Sequence, residues 1–292
     1  MKKATASLLV FILCCGVAHS GQAPFITSKR TPSRPPTAPA LDEPLTPQKI
    51  EPSPSPQEEQ LAPHPAPTDG VQMQWFGHSF IYLISSSGLR VAIDPFGEEI
   101  KLPFPNDLHA DVVLIAYESE DRQGGERLGG APQVFRGITG VGENRACGLI
   151  FRGVETFRNP SPEKNWGVNT AYVFELDGVR FCHLGGIGSP LNDEQVKEIG
   201  SADVLFAPIG NKQITTKEFW KMAQQLQAKW IVPIAYYNPQ AGFDALRPLE
   251  ECIEEFKIVQ NCEAKEAEGN AFVFRKESLP SQPTLLLLKL PQ

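Results

Sequence analysis

Ala110-Asp111-Val112-Val113-Leu114-Ile115-Ala116 runs directly into Tyr117-Glu118-Ser119-Glu120-Asp121-Arg122. After Asp111 the first half is an apolar run, Val112 to Ala116, rich in β-branched residues and of the length a strand buried on both faces requires. It delivers the chain into a polar loop that continues to Gly125. Upstream, Val71 to Phe76 alternates apolar and polar residues, Phe80 to Ile84 is apolar almost throughout, and Leu89 to Ile93 leads into Asp94-Pro95. These predict three successive strands joined by tight turns. Downstream, Asn169 to Glu175 and Val179 to Leu184 flank Asp177-Gly178, a strong hairpin signal. A helix is then expected at Asp193 to Ile199, a strand at Ala202 to Pro208, and a helix from Thr216, where Thr215 and Glu218 have capping-box spacing. A strand at Lys229 to Ile234, a helix at Phe243 to Phe256, and strands at Ala271 to Phe274 and Thr284 to Leu290 complete the pattern. Early strands followed by alternating units imply an α/β fold with two sheets covered outside by helices.

The rest of the chain bounds its surroundings. Lys2 and Lys3 precede an apolar run from Ala4 to Val17, and Ala18-His19-Ser20 follows, so residues 1–20 read as a signal peptide. The protein is thus expected to be exported: periplasmic, secreted, or held at a membrane if the signal is not cleaved. Residues 21–69 contain 13 of the 27 prolines with few large apolar residues, which reads as a disordered proline-rich linker, either a spacer or a passive tail. Residues 70–292 have the composition of one globular domain. Four cysteines remain in it, Cys147, Cys182, Cys252 and Cys262, which allow three disulfide pairings or buried free thiols. A net charge of -7 leaves no basic stripe, so no nucleic-acid partner is expected.

The domain resembles the metallo-β-lactamase-fold hydrolases, particularly the branch of ascorbate-phosphate lactonase-like proteins. The resemblance rests on Trp75-Phe76-Gly77-His78-Ser79, Ile93-Asp94-Pro95, Ala110 to Leu114, Asn169-Thr170-Ala171-Tyr172, His183-Leu184-Gly185, Ala207-Pro208-Ile209-Gly210 and Ile231-Val232-Pro233-Ile234, in that order. It implies a four-layer αββα sandwich. It also implies one or two divalent metals held by histidines and carboxylates, lowering the pKa of a bound water.

Against that pattern the ligand segments depart. The family loop Thr-His-x-His-x-Asp-His falls on Ala116 to Arg122, so Tyr117, Ser119 and Arg122 replace histidines and Asp121 remains. His-Leu-Gly-Asp falls on His183-Leu184-Gly185-Gly186, and Pro-x-His-Tyr falls on Pro233-Ile234-Ala235-Tyr236. A further His-Asp pair of relatives falls near Arg158-Asn159. The vestigial ligand positions are Asp121 and His183, too few for a zinc site of three or four protein ligands.

The expectation is therefore a non-catalytic pseudohydrolase, a binding or interaction module without a cofactor. The alternative is a metal-dependent hydrolase of phosphoesters or lactones with zinc or another divalent ion in an atypical centre. The candidate ligand pocket comprises Tyr117, Asp121, Arg122, Arg158, His183 and Tyr236, with no catalytic residue assigned. Arg122 and Arg158 are expected either to bind a small anionic ligand or to neutralise Asp121, Glu118 or Glu120. An envelope partner is the other expectation. His78 is expected to make a structural hydrogen bond in its turn. Cys182 and His183, consecutive on a strand, should face opposite sides.

Overall fold

The computed structural model describes residues 69–159, 167–260 and 262–290. The expected signal peptide and all of the proline-rich stretch but Asp69 lie outside the described residues.

The first sheet grows from β1 (Val71–Trp75), β2 (Ile81–Ile84), β3 (Arg90–Ile93), β4 (Val112–Ile115) and β5 (Gln133–Arg136). β1 to β3 pair antiparallel, and β3 to β5 pair parallel. β6 (Gly142–Ala146), β7 (Leu149–Phe157), β8 (Val168–Leu176) and β9 (Val179–His183) then form an antiparallel run. After α1 (Asp193–Ile199), β10 (Val204–Ala207), α2 (Thr216–Gln225), β11 (Trp230–Pro233) and α3 (Leu249–Gln260), the chain adds β12 (Glu263–Glu266), β13 (Ala271–Phe274) and β14 (Thr284–Leu287). The sheet orders are β13-β1-β2-β3-β4-β5 and β12-β14-β11-β10-β9-β8-β7-β6.

Side chains alternate across these strands, so each sheet has two faces to bury. Trp75, Leu83, Ile93, Leu114, Phe151, Phe181, Phe206 and Phe274 form the central core to which both sheets contribute. Cys182, Leu205 and Ile231 turn the other way, into a cluster with Phe219, Met222 and Phe256 of α2 and α3. Phe80, Tyr82, Val113 and Ile115 lie in a third cluster with Phe96, Ile100 and Leu128, from the segments that follow β3 and precede β5. The arrangement is the α/β sandwich of two mixed sheets expected for a metallo-β-lactamase fold.

Cys182 and His183 face opposite sides, as β geometry requires: Cys182 joins the helix-side cluster and His183 turns to Asp94. All four cysteines of the domain are free, with Cys147 exposed and the other three buried. One helix departs from its expected bounds. α3 starts at Leu249 rather than near Phe243, because Pro248 disfavours helical geometry at Arg247. The backbone of Arg247 instead bonds to Gly210 and Tyr237, which holds that segment beside the strand ends.

Candidate functional site

β1 ends at Trp75, and the chain turns through Gly77 and His78, both with positive φ. The turn is pinned because the His78 carbonyl accepts from Trp75 Nε1 at 3.1 Å and from the Ala235 amide at 2.9 Å. That fixes the imidazole, whose Nε2 lies 2.8 Å from Asp121 Oδ2. Asp121 and Arg122 sit on a short 3-10 turn, Glu120–Arg122, in the loop after β4. Asp94, directly after β3, accepts from the Ala116 amide at 2.7 Å and lies 2.8 Å from His183 Nε2 at the end of β9.

Arg122 joins the two His-Asp pairs. Its Nε donates to Asp94 Oδ2 at 3.0 Å, its Nη1 to Asp121 and to the Tyr117 hydroxyl, and its Nη2 to Ser79 Oγ at 2.7 Å. The residue is only 2% exposed. Such a charge is tolerable in the interior only because it is paired and hydrogen-bonded.

The electrostatics follow from this packing. Burial pushes the Asp121 pKa up, but Arg122 and the His78 hydrogen bond overcome it and hold the carboxyl well below the usual range. Asp94 is likewise held down by Arg122 and His183 against its burial. For His78 burial wins over the neighbouring Asp121, and its pKa is lowered from 6.5, which favours the neutral ring at neutral pH. Burial raises the Tyr117 hydroxyl to about 12, so it stays protonated.

A cleft of about 240 Å³ opens over this cluster. His78, Asp121, Arg122, Tyr117 and Arg158 lie along it with Lys212, and Pro208, Ala235, Phe243 and Leu246 provide apolar surface. The Tyr117 ring has two cationic neighbours, with the guanidinium carbons of Arg122 and Arg158 at 4.1 and 3.9 Å from its centroid. Four of the six residues expected in a ligand pocket, Tyr117, Asp121, Arg122 and Arg158, thus meet in one cleft. His183 lies fully buried behind it, reached through Asp94. Tyr236 packs on Trp75 instead, with ring centroids 5.5 Å apart. Glu118, a possible partner for the arginines, lies 3.8 Å from Arg136.

Sequence reasoning passed over Asp94 as a site residue and assigned His78 only a structural bond. The Ile93-Asp94-Pro95 step after a strand was the available signal for Asp94, because ligands gather at strand ends in such folds.

The fold family implies a divalent metal, and the residues here do not fit one in the family's manner. The guanidinium of Arg122 occupies the space between Asp94 and Asp121. Among the described residues no group of three His, Cys, Asp or Glu side chains is disposed to hold an ion. At Gly186, where the resemblance implies a bridging carboxylate, a Cβ would run into the Tyr117 ring.

Relatives extend the picture. A UPF0173 metal-dependent hydrolase of Thermococcus onnurineus is 26% identical over 217 residues, covering 64% of this chain and 91% of the relative. Another of that name, from Methanoculleus marisnigri, is 24% identical over 204 residues, covering 64% of this chain and 87% of the relative. A crystal structure from Thermotoga maritima, described as a zinc-dependent hydrolase of the metallo-β-lactamase superfamily, superposes with a TM-score of 0.61 at 29% identity. The match covers 76% of this chain and all of that one.

These names correct the expectation of a non-catalytic pseudohydrolase without a cofactor. The relatives are named for hydrolysis and for a metal, and the secreted role stated alongside that expectation gains nothing from them. The physical reason is that His78 and Asp94, which lie outside the three ligand segments, fold against Asp121 and His183, so the site holds two His-Asp pairs where two isolated remnants were expected. No helix among the described residues is long and apolar enough to cross a membrane. With its two mixed sheets, a polar cluster at the ends of β3, β4 and β9, and a match of residues 72–235 to the model of the β-lactamase superfamily domain, the chain belongs to that family.

Proposed function

We propose that this chain is a hydrolase of small ester-type substrates, phosphoesters or lactones. The observation that carries the reading is the His78-Asp121 pair at the cleft. With Nε2 given to Asp121, Nδ1 is the ring nitrogen left to act as a base, on a side chain that lines the cleft. A neutral imidazole oriented by a carboxylate is suited to take a proton from an attacking water and return it to the leaving oxygen. The lowered pKa of His78 favours the base-competent ring, and the lowered pKa of Asp121 keeps its partner ionised. The Tyr117 hydroxyl supplies a donor beside the cleft. The relatives' names imply that a metal assists them, whereas in this chain Arg122 fills the space between the carboxylates.

Purified full-length protein should turn over bis(p-nitrophenyl) phosphate or a simple lactone in a panel run with chelator and with added zinc, manganese or iron. His78→Asn should lower that turnover by about 10²-fold or more, the usual worth of a general base. Absence of turnover in every arm, or an unaffected His78→Asn enzyme, would refute the proposal.

A further inference from the structure

We propose that the loop 238–246, between β11 and α3, gives the cleft an apolar recognition wall, on which Phe243 and Leu246 take an uncharged alkyl or aryl group of the substrate beside the bond that is broken. The lining of the cleft is divided by segment. His78 comes from the turn after β1, and Tyr117, Asp121 and Arg122 come from the loop after β4. The three lining residues that loop 238–246 supplies, Phe243, Ala245 and Leu246, are all apolar. The two kinds of surface meet at His78. The Phe243 ring makes a T-shaped contact with the imidazole, with centroids 5.4 Å apart and planes at 69°. An apolar group lying on Phe243 is therefore brought next to the base of the hydrolase reading.

The wall is built in advance. Phe243 packs against the cluster that contains Phe80 and Phe96, and Leu246 packs against the central core, yet both remain half-buried, and Ala245 is exposed. The base of the loop closes where the Tyr237 amide donates to the Arg247 carbonyl and the Arg247 amide donates to the Gly210 carbonyl, each at 2.8 Å. The Arg247 guanidinium adds bonds to Glu255 of α3 and to the Ile209 carbonyl. Farther along, the Lys101 amide donates to the Ala241 carbonyl at 2.9 Å, and the buried Asn238 side chain accepts from the Gln240 amide at 2.9 Å. A surface anchored at both ends and in the middle loses little conformational freedom when a ligand arrives. Its half-exposed apolar atoms are driven to leave water. The word substrate rests on the hydrolase reading, but the affinity for an apolar group does not.

Titration of the full-length protein with hexanamide and with acetamide, which lack an ester bond, separates binding from hydrolysis when followed by saturation-transfer NMR. Hexanamide is expected to bind at least about tenfold more tightly, since each fully buried methylene is worth about fourfold. That preference should fall by about threefold or more in Phe243→Ala, the scale of one lost methylene contact. Ala245→Asp should lower it too, by placing a carboxylate in the wall at an exposed position that folding does not depend on. Phe243→Leu should keep most of it, and circular dichroism should confirm that each variant is folded. A preference that is absent from the wild type, or that survives in folded Phe243→Ala and Ala245→Asp, overturns the proposal. In turnover, kcat/KM for γ-octalactone relative to γ-butyrolactone should fall in the same two variants. If the chain hydrolyses nothing yet its preference for hexanamide is lost in these variants, the wall stands and the hydrolase reading falls. If it hydrolyses esters, but the variants leave both the amide preference and the lactone ratio unchanged, the wall falls and the hydrolase reading stands.

Discussion

Arg122 stands where the family resemblance implies a histidine, and the chain uses it as a buried tie between two strand ends. Its partnership with Asp121 was foreseeable from adjacency. Its second carboxylate, Asp94, is 28 residues away in the chain, and no sequence spacing announces it. Removing one member of a buried ion pair leaves the others uncompensated and costs about 3 to 5 kcal/mol. Arg122→Ala should therefore lower stability by roughly that amount in a denaturant melt, and adding Asp121→Ala should recover part of it, since one orphaned charge is then gone. Recovery should be incomplete because Asp94 still lacks its partner. A coupling energy near zero between Arg122 and Asp121 would show that the contact carries no net charge compensation.

Among the elements, α1 and α2 were the most legible. α1 begins and ends where the pattern places it, and α2 starts on the expected capping box. The Glu218 amide lies 3.3 Å from Thr215 Oγ1, and the Thr215 amide donates to the Glu218 carboxylate at 2.8 Å. Thr215→Ala should cost about 0.5 to 2 kcal/mol, measured as a shift in the denaturant midpoint at unchanged slope. No shift would mean that packing of Phe219 and Met222 alone sets the helix start. Strands without a plain apolar run were less legible. β7 alternates buried and exposed residues except at Gly153 and Val154, which are both buried, and it mixes Gly, Arg, Glu and Thr into the pattern, so its periodicity is diluted. All four residues of β12 are exposed, and its pairing with β14 alone makes it a strand.

At the scale of the whole molecule, the buried charge cluster makes the fold sensitive to acid. The folded-state pKa of His78 lies below its ordinary 6.5, so its contribution is fully present above that value and is lost as pH falls through the folded one. Asp94 and Asp121 are likewise depressed, from an ordinary 3.8, and their contribution is lost below that value. Both effects have the same sign. Stability should decline in two stages, the first beginning below about pH 6.5 and the second below about pH 4. Denaturant midpoints measured from pH 8 to pH 3 should show this, and His78→Asn should flatten the upper stage. A profile independent of pH over that range would mean that the cluster is not held as these contacts require.

The sequence by itself determined the layered α/β architecture and most of its elements. Apolar periodicity, capping spacing and turn dipeptides are local signals, and local signals suffice to place strands and helices along a chain. It also pointed to the loop from Tyr117 to Arg122 as part of the site. Only the tertiary structure decided what the residues of that loop do. Strand ends far apart in the chain converge, so that Asp94 meets Arg122 and His183, and His78 meets Asp121. Which carboxylate neutralises which cation, and which imidazole reaches the cleft, depends on distances between elements, and a one-dimensional pattern carries no information about those distances.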